Sequence, residues 1–304
     1  MHNIDELPTT KRLLRADIPE TLHHYTNSTS IVAIINSRQF WAGLPEQMND
    51  GEELHRAFRW LALIGGQANL DRDRPSADQL FGRWVSERIE DKEALKGAHS
   101  FVVSLSESGD SLSQWRSYTG GSGSGVSLSL PGQLVQTAAE RQGWTLAPCI
   151  YDEADVEMLV AELFNHHLTK FAKEYDTFPG DDHTSFMTPL KNHAQNLFDD
   201  LRHYGLYVKN PSFHAEEEWR LAKFDVEPDV KDLTFSGGPL GVRAYLPFEI
   251  LEPNQTSFPS QPRPALRIGP TPLSGIAVYA TTRLLELWVG AGNTDVYETH
   301  SSFR

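Results

Sequence analysis

The chain of 304 residues is 39% hydrophobic and 22% charged, a composition that excludes a disordered or fibrous chain and supplies a large core, in one elaborate domain or two. Its formal charge of -14 and pI near 5.3 give an average field that repels polyanions, so no general affinity for nucleic acid or membrane surfaces is expected, while a local basic groove stays open. The single cysteine, Cys149, excludes an internal disulfide and a cysteine-rich zinc site and fits a reducing, cytoplasmic setting.

Residues 1–20 hold Lys11, Arg12 and Arg15 with no apolar run behind them, against the pattern of a signal peptide. They read as an N-terminal arm with a helical turn at 12–14. No later stretch is long enough to span a bilayer. Leu22-His23-His24-Tyr25-Thr26 reads as a strand, and Asn27-Ser28-Thr29-Ser30 can cap a helix carrying Ile31, Ile34 and Ile35 on one face. Phe40-Trp41-Ala42 is a second short strand. Asp50 and Glu53 form a capping-box variant before Leu54, Phe58 and Leu61, and Gly65-Gly66 closes that helix. Ser76 opens another helix, with Leu80, Phe81, Trp84, Val85 and Ile89 on one side.

Residues 101–106 form a clear strand, and Asp110 or Ser111 caps a short helix through Trp115-Arg116. The following Gly120-Gly121-Ser122-Gly123-Ser124-Gly125 lacks the Gly-Lys-Ser/Thr of a phosphate loop and runs into a strand at 126–130, so a hairpin-like connection is expected. Helix 132–142, strand 145–151 and a long helix over 153–174 follow. On that helix the adjacent His166 and His167 point about 100° apart, a poor arrangement for holding one metal. Thr188 and Pro189 read as the cap and first residue of a helix running to Tyr204. Beyond it the pattern shifts to short strands, at 206–208, 216–224, 233–235, 242–246, 265–268 and 285–289, punctuated by proline and glycine. Helices and strands mix without strict alternation, which predicts an α+β fold around antiparallel sheets.

The most distinctive stretch is Glu216-Glu217-Glu218-Trp219-Arg220. As a strand it places Glu216, Glu218 and Arg220 on one face and Glu217 and Trp219 on the other. Stacked carboxylates raise one another's pKa unless a cation or ligand compensates, a common way to build a site. A solvated edge strand with Arg220 as partner of the acids is the plainer account of the same residues.

In their order these motifs, with Asn49-Asp50-Gly51-Glu52-Glu53, Ser104-Leu105-Ser106, Leu112-Ser113-Gln114-Trp115-Arg116-Ser117-Tyr118, Gly125-Val126, Lys209, Phe213 and Leu287-Trp288-Val289-Gly290, resemble bacterial proteins catalogued as domain of unknown function 2971. The resemblance runs from about Leu22 to Gly290. It implies a divergent ADP-ribosyltransferase-like fold, a split antiparallel β-sandwich with an NAD cleft, here one domain over 21–304 with helical insertions at 51–98 and 153–204. It further implies His24, with Tyr25 and Thr26, at the adenosine-side ribose of NAD and Glu218, with Glu216 beside it, at the nicotinamide ribose. Trp115, Tyr118 and Trp41 are the aromatics that could stack on nicotinamide, Ser104 and Ser106 the hydroxyls that could fix its carboxamide or ribose, and Arg220 a further cofactor contact.

The activity so implied is mono-ADP-ribosyl transfer from NAD, without a metal, to a nucleic-acid or protein acceptor, by a toxin or effector in bacterial conflict or phage defence. An antitoxin or other regulatory partner is implied with it, and a membrane is not. Cleavage of the nicotinamide–ribose bond passes through an oxocarbenium-like state, which a carboxylate on the ribose 2′-OH stabilises. A non-catalytic module binding NAD, ADP-ribose or a partner, and a glycohydrolase acting on NAD with water, are the competing functions.

Overall fold

The computed structural model describes residues 7–14, 16–45, 53–66, 76–89, 99–119, 125–178, 185–238, 241–251, 263–271 and 274–300. Its chain divides into two compact units, Met1–Arg15 with Glu46–His99 and Ile150–Pro211, and Ala16–Pro45 with Ser100–Cys149 and Ser212–Arg304. The capping residues 49–52, the loop residues 120–124 and the side chains of Glu53 and Tyr118 lie outside the described residues.

The first unit is helical: α1 (Pro8–Leu14), and further along the chain α3 (Glu53–Gly65), α4 (Ala77–Ile89), α7 (Glu153–Tyr175) and α8 (Met187–Gly205). Helix α4 starts where its capping chemistry predicts, with Ser76 N donating to Gln79 Oε1 at 2.9 Å. Spacing of three and four residues puts Val156, Leu159, Val160, Leu163, Phe164 and Phe171 of α7 into a core shared with Phe81, Leu197, Phe198 and Leu201. Its rings pack as Phe81–Phe164 at 5.4 Å and Phe58–Phe198 at 6.2 Å between centroids. His167 is buried in this core, its Nε2 in a 2.6 Å hydrogen bond with Asp200 Oδ2.

Two expectations change here. The segment read as an arm is α1, with Thr9, Thr10 and Leu13 buried and both Thr9 N and Thr9 Oγ1 donating to the Glu162 carboxylate of α7. Two hydrogen bonds and three buried side chains outweigh the polar composition that suggests a solvated tail. Helix α8 begins at Met187, not after Thr188, and Pro189 falls in its first turn, where an N–H has no intrahelical acceptor.

The second unit carries the strands: β1 (Thr21–Asn27), β2 (Gln39–Gly43), β3 (His99–Ser106), β4 (Gly125–Pro131), β5 (Thr145–Pro148), β6 (Glu218–Val226), β7 (Thr234–Gly238), β8 (Gly241–Glu249), β9 (Ala265–Ile268) and β10 (Asp295–Glu298). They form one sheet of order β10-β9-β4-β1-β3-β2-β8-β7, with β6 branching off to pair with β3 and β5. Among the described residues the strand registers are antiparallel except β9–β10, which is parallel. Helices α2 (Ser28–Ser37), α5 (Leu112–Thr119), α6 (Gly132–Gln142) and α9 (Ser274–Val289) complete the unit.

Alternation explains the layering. Leu22 of β1, Leu128 and Leu130 of β4 and Leu266 of β9 point to one side of the sheet, into a core with Ile31, Ile34 and Ile35 of α2 and Leu285 and Trp288 of α9. Asn27 Oδ1 accepts from Ser30 N and starts α2, as its sequence predicts. The run 285–289, expected as a strand, is the end of α9. Leu285 and Trp288 are both buried at a spacing of three, and Trp288 Nε1 donates to the Ile35 carbonyl at 2.5 Å. A five-residue apolar run reads equally well with either period, and here the helical one holds. Residues 206–208 likewise make a turn with one isolated bridge, Val208 to Ile150, instead of a strand.

Candidate functional site

Three motifs far apart in the sequence meet at the loop after β3. Tyr25 Oη donates to the Ser108 carbonyl at 2.7 Å and accepts from Ser111 N at 2.9 Å. Ser106 Oγ donates to the Glu216 carbonyl at 2.7 Å and accepts from Ser108 N at 3.0 Å. Glu107 N donates to the Glu217 carbonyl at 3.0 Å, and Trp219 Nε1 donates to Glu107 Oε1 at 2.6 Å. Loop 107–111 is therefore pinned from β1, from β3 and from the start of β6. Buried polar groups must be satisfied in place, so such a knot fixes where each motif sits.

Asp110 holds the outer side of the loop. Its carboxylate accepts from Trp115 Nε1 at 2.7 Å, from His300 N at 2.9 Å and from Thr299 Oγ1, with Arg267 Nη1 3.6 Å away. Burial alone would raise its pKa, but the bonds from Thr299, His300 N and Trp115, with the Arg267 charge, outweigh it and hold Asp110 below the usual carboxylate range. Trp115 is fully buried, packed edge-on to Tyr25 at 4.7 Å and against Gly269, where a Cβ would lie 2.7 Å from the indole.

The two histidines of β1 point to opposite faces. His24 lies on the core side, its ring 4.8 Å from Phe40, and its Nδ1 lies 3.0 Å from the Ser104 carbonyl. A carbonyl only accepts, so Nδ1 carries the proton and Nε2 is left as an acceptor. Desolvation lowers the His24 pKa against the smaller opposing effect of the Ser104 bond, which keeps the ring neutral. His23 faces the other way with Tyr25, beside Ser129 Oγ at 2.8 Å. Across the sheet Tyr25, Ser127, Arg267 and Tyr297 form one row, and Arg267 lies over the Tyr297 ring at 5.3 Å. Burial first, then the Arg267 charge, push His23 down to about 4, and burial raises the Tyr25 phenol to about 12.

A pH dependence follows with a definite sign. His23 is neutral when folded and gains a proton on unfolding at mildly acidic pH, so its stability contribution is full above pH 6.5 and is lost as pH falls from there toward 4. His23→Gln is expected to flatten the decline of stability between those values in urea titrations at stepped pH. An unchanged slope would show that another group controls it.

The acidic stretch departs from the expected strand. Glu216 closes a 3-10 turn, Pro211–Glu216; Glu217 has φ of 43°, and β6 begins only at Glu218. Alternation therefore does not stack Glu216 on Glu218. The left-handed turn at a non-glycine residue costs roughly 1 kcal/mol and is held by the Glu107 N and His214 carbonyl bonds on either side of it. Within β6 the alternation holds. Trp219 and Leu221 enter the core, while Glu218 and Arg220 share the other face. Arg220 Nε donates to Glu218 Oε1 at 2.9 Å and Nη2 to Oε2 at 3.4 Å, both side chains being 3% exposed.

Of the residues singled out in the sequence, Tyr25, Ser106 and Trp115 are thus engaged in bracing loop 107–111. Arg220 is the partner of Glu218. Thr26 is buried at the end of β1. His24 Nε2 and the Ser104 hydroxyl make no hydrogen bond among the described residues. Asp110 and Arg267 were not read as site residues. Apart from the Trp115 N–H five residues on, the groups that join Asp110, those of Thr299 and Arg267, lie 189 and 157 residues away in the chain, so no local pattern marks the pair. Among the described residues no group of three or more His, Cys, Asp or Glu side chains could hold a metal ion, and no helix is long and apolar enough to cross a membrane.

Fold and site together define a mixed α+β protein whose polar motifs converge at the end of an open, largely antiparallel sheet. Residues 114–221 match the model of the family described as protein of unknown function (DUF2971), the same family that the motifs resemble. The matched segment takes in Trp115, Gly125-Val126, Lys209, Phe213 and Glu216 to Arg220, and lies beyond His24 and Ser104. No curated protein and no solved structure matches the chain.

Proposed function

We propose that the protein is an NAD-dependent mono-ADP-ribosyltransferase of the ADP-ribosyltransferase-like, split-sandwich kind, with a nucleic-acid or protein acceptor and a place in bacterial conflict or phage defence. The observation that carries this reading is the convergence of the His24-Tyr25-Thr26, Ser104-Leu105-Ser106 and Glu216 to Arg220 motifs on loop 107–111. In it Arg220 aligns the Glu218 carboxylate, and the neutral His24, on the core side of β1, keeps Nε2 as the acceptor assigned to a ribose hydroxyl. As the nicotinamide–ribose bond breaks, its electron pair leaves with nicotinamide and positive charge grows on the ribose. Glu218 stabilises that charge through the 2′-OH, and the acceptor nucleophile bonds to the same carbon and loses its proton.

Glu218→Gln is expected to lower nicotinamide release from labelled NAD by about two to three orders of magnitude, measured per folded enzyme with RNA, DNA and protein pools as acceptors. Label transfer that survives the substitution refutes the assignment. One observation favours a second reading: with both oxygens engaged by Arg220 and 3% exposure, Glu218 resembles a structural ion pair. In that case the protein is a non-catalytic module, and NAD or ADP-ribose binds without any nicotinamide release by the wild type.

A further inference from the structure

The far end of the sheet carries a second arrangement that the NAD reading does not use. Strands β2, β8 and β7 are paired so that Trp41 lies opposite Pro247, Gly43 opposite Tyr245, Tyr245 opposite Thr234, and Arg243 opposite Ser236. Because these are aligned partners of antiparallel strands, Trp41, Gly43, Pro247, Tyr245, Arg243, Thr234 and Ser236 share one face. The neighbours Phe40, Ala42 and Phe248 point the other way, into the core.

On the outer face Trp41 is 36% exposed and its ring lies 6.0 Å from that of Tyr245, tilted by 42°. The Tyr245 ring lies beside Gly43 of β2, where a Cβ would sit in ordinary contact with it at 3.7 Å. Neither the Trp41 indole N–H nor the Tyr245 hydroxyl makes a hydrogen bond among the described residues. Arg243, two residues from Tyr245 and about 7 Å along the strand, makes no hydrogen bond or ion pair among them either. The carboxylate on this face, Glu249, stands beyond Pro247 and accepts from Gln39 Nε2 at 3.0 Å.

An exposed Trp41 and a half-buried Tyr245, followed at one strand repeat by the half-buried Arg243 guanidinium, which is unpaired among the described residues, and by hydroxyl side chains, match the alternation of base and phosphate in a nucleotide chain. We infer that this face of β2, β8 and β7 binds single-stranded nucleic acid. A base stacks on Trp41 or Tyr245, and the adjoining phosphate meets Arg243, with Thr234 and Ser236 beside it. Duplex fits poorly, because its bases are not free to stack and the net charge of -14 gives no long basic footprint. The affinity rests on stacking, with about one phosphate neutralised.

The test needs no NAD, so its outcome stands apart from that of the transferase reading. A short labelled oligo(dT) is titrated with the full chain by fluorescence anisotropy, with the same sequence as duplex, thymidine monophosphate and a proline-rich peptide as competitors. Saturable binding of the single strand is expected, with a logarithmic salt slope of roughly -0.7. Trp41→Ala and Tyr245→Ala should each weaken it about 5- to 150-fold, Trp41→Phe should keep most of it, and Arg243→Ala should bring the salt slope near zero. Circular dichroism checks the fold of each variant. The inference is overturned if the wild type does not bind, if both alanine variants bind as it does while folded, or if the peptide or mononucleotide displaces the strand at lower concentration than free oligo(dT).

Discussion

Replacing Arg220 by alanine is expected to destabilise the protein by about 3–5 kcal/mol, read as a fall in the urea midpoint at neutral pH. Both members of the Glu218–Arg220 pair are 3% exposed, so the substitution leaves a carboxylate in a low-dielectric site without its fork of two donors. The cost comes from taking the Arg220 donors away from a buried carboxylate and not from the attraction itself, since taking two ions out of water nearly cancels what their pairing returns. The double variant Glu218→Leu with Arg220→Met should therefore recover most of the lost stability. A double variant as unstable as Arg220→Ala would mean that the two side chains hold the surrounding structure through bonds other than their own. On the proposed transferase reading, stability and nicotinamide release are separable at this pair, which is how a catalytic carboxylate is told from a structural one.

The second large effect belongs to Trp115. Trp115→Ala removes a fully buried indole, and cavity formation alone accounts for roughly 3–5 kcal/mol. The same change takes a donor from Asp110 and the edge-on ring from Tyr25, so the damage concentrates on loop 107–111. Trp115→Phe keeps an aromatic body but not the N–H, and should cost about 1 kcal/mol more than the lost volume alone. Hydrogen exchange makes the distinction visible. Amides of residues 107–111 are expected to lose protection in both variants, while those of α7 and α8 stay unchanged. Uniform loss throughout the chain would show that Trp115 supports global stability and not the loop.

Helical periods and capping residues carried much of the fold in plain view. Asn27, Ser76 and the apolar stripe of α7 act over four residues or fewer, so their chemistry is complete within the local sequence. Strand β9 is bounded at 265–268 as its pattern predicts. Errors arise where tertiary partners decide the matter. The 285–289 run fits both periods, and only the Ile35 carbonyl that receives Trp288 selects the helix. Thr9 is polar, yet buried, because Glu162 lies 153 residues on. At the candidate site the alternation of Glu218, Trp219 and Arg220 is legible. The place of Glu216 is not, because the turn that lifts it off the strand depends on a left-handed Glu217 that sequence pattern disfavours. His23 was within reach: two residues from Tyr25 on a strand, it had to share that face.

The grip of Asp110 on Thr299 and His300 sets an order of assembly. Loop 107–111 can contact Tyr25 and Trp115 soon after it is made, but the bonds that complete its outer side come from residues 189 and 190 positions later. During synthesis the three motifs would thus hold an unfinished arrangement until the ribosome has passed residue 300 and β10 has joined β9. On the NAD-cleaving reading proposed above, such timing would leave a nascent or truncated chain without the clasp that completes loop 107–111.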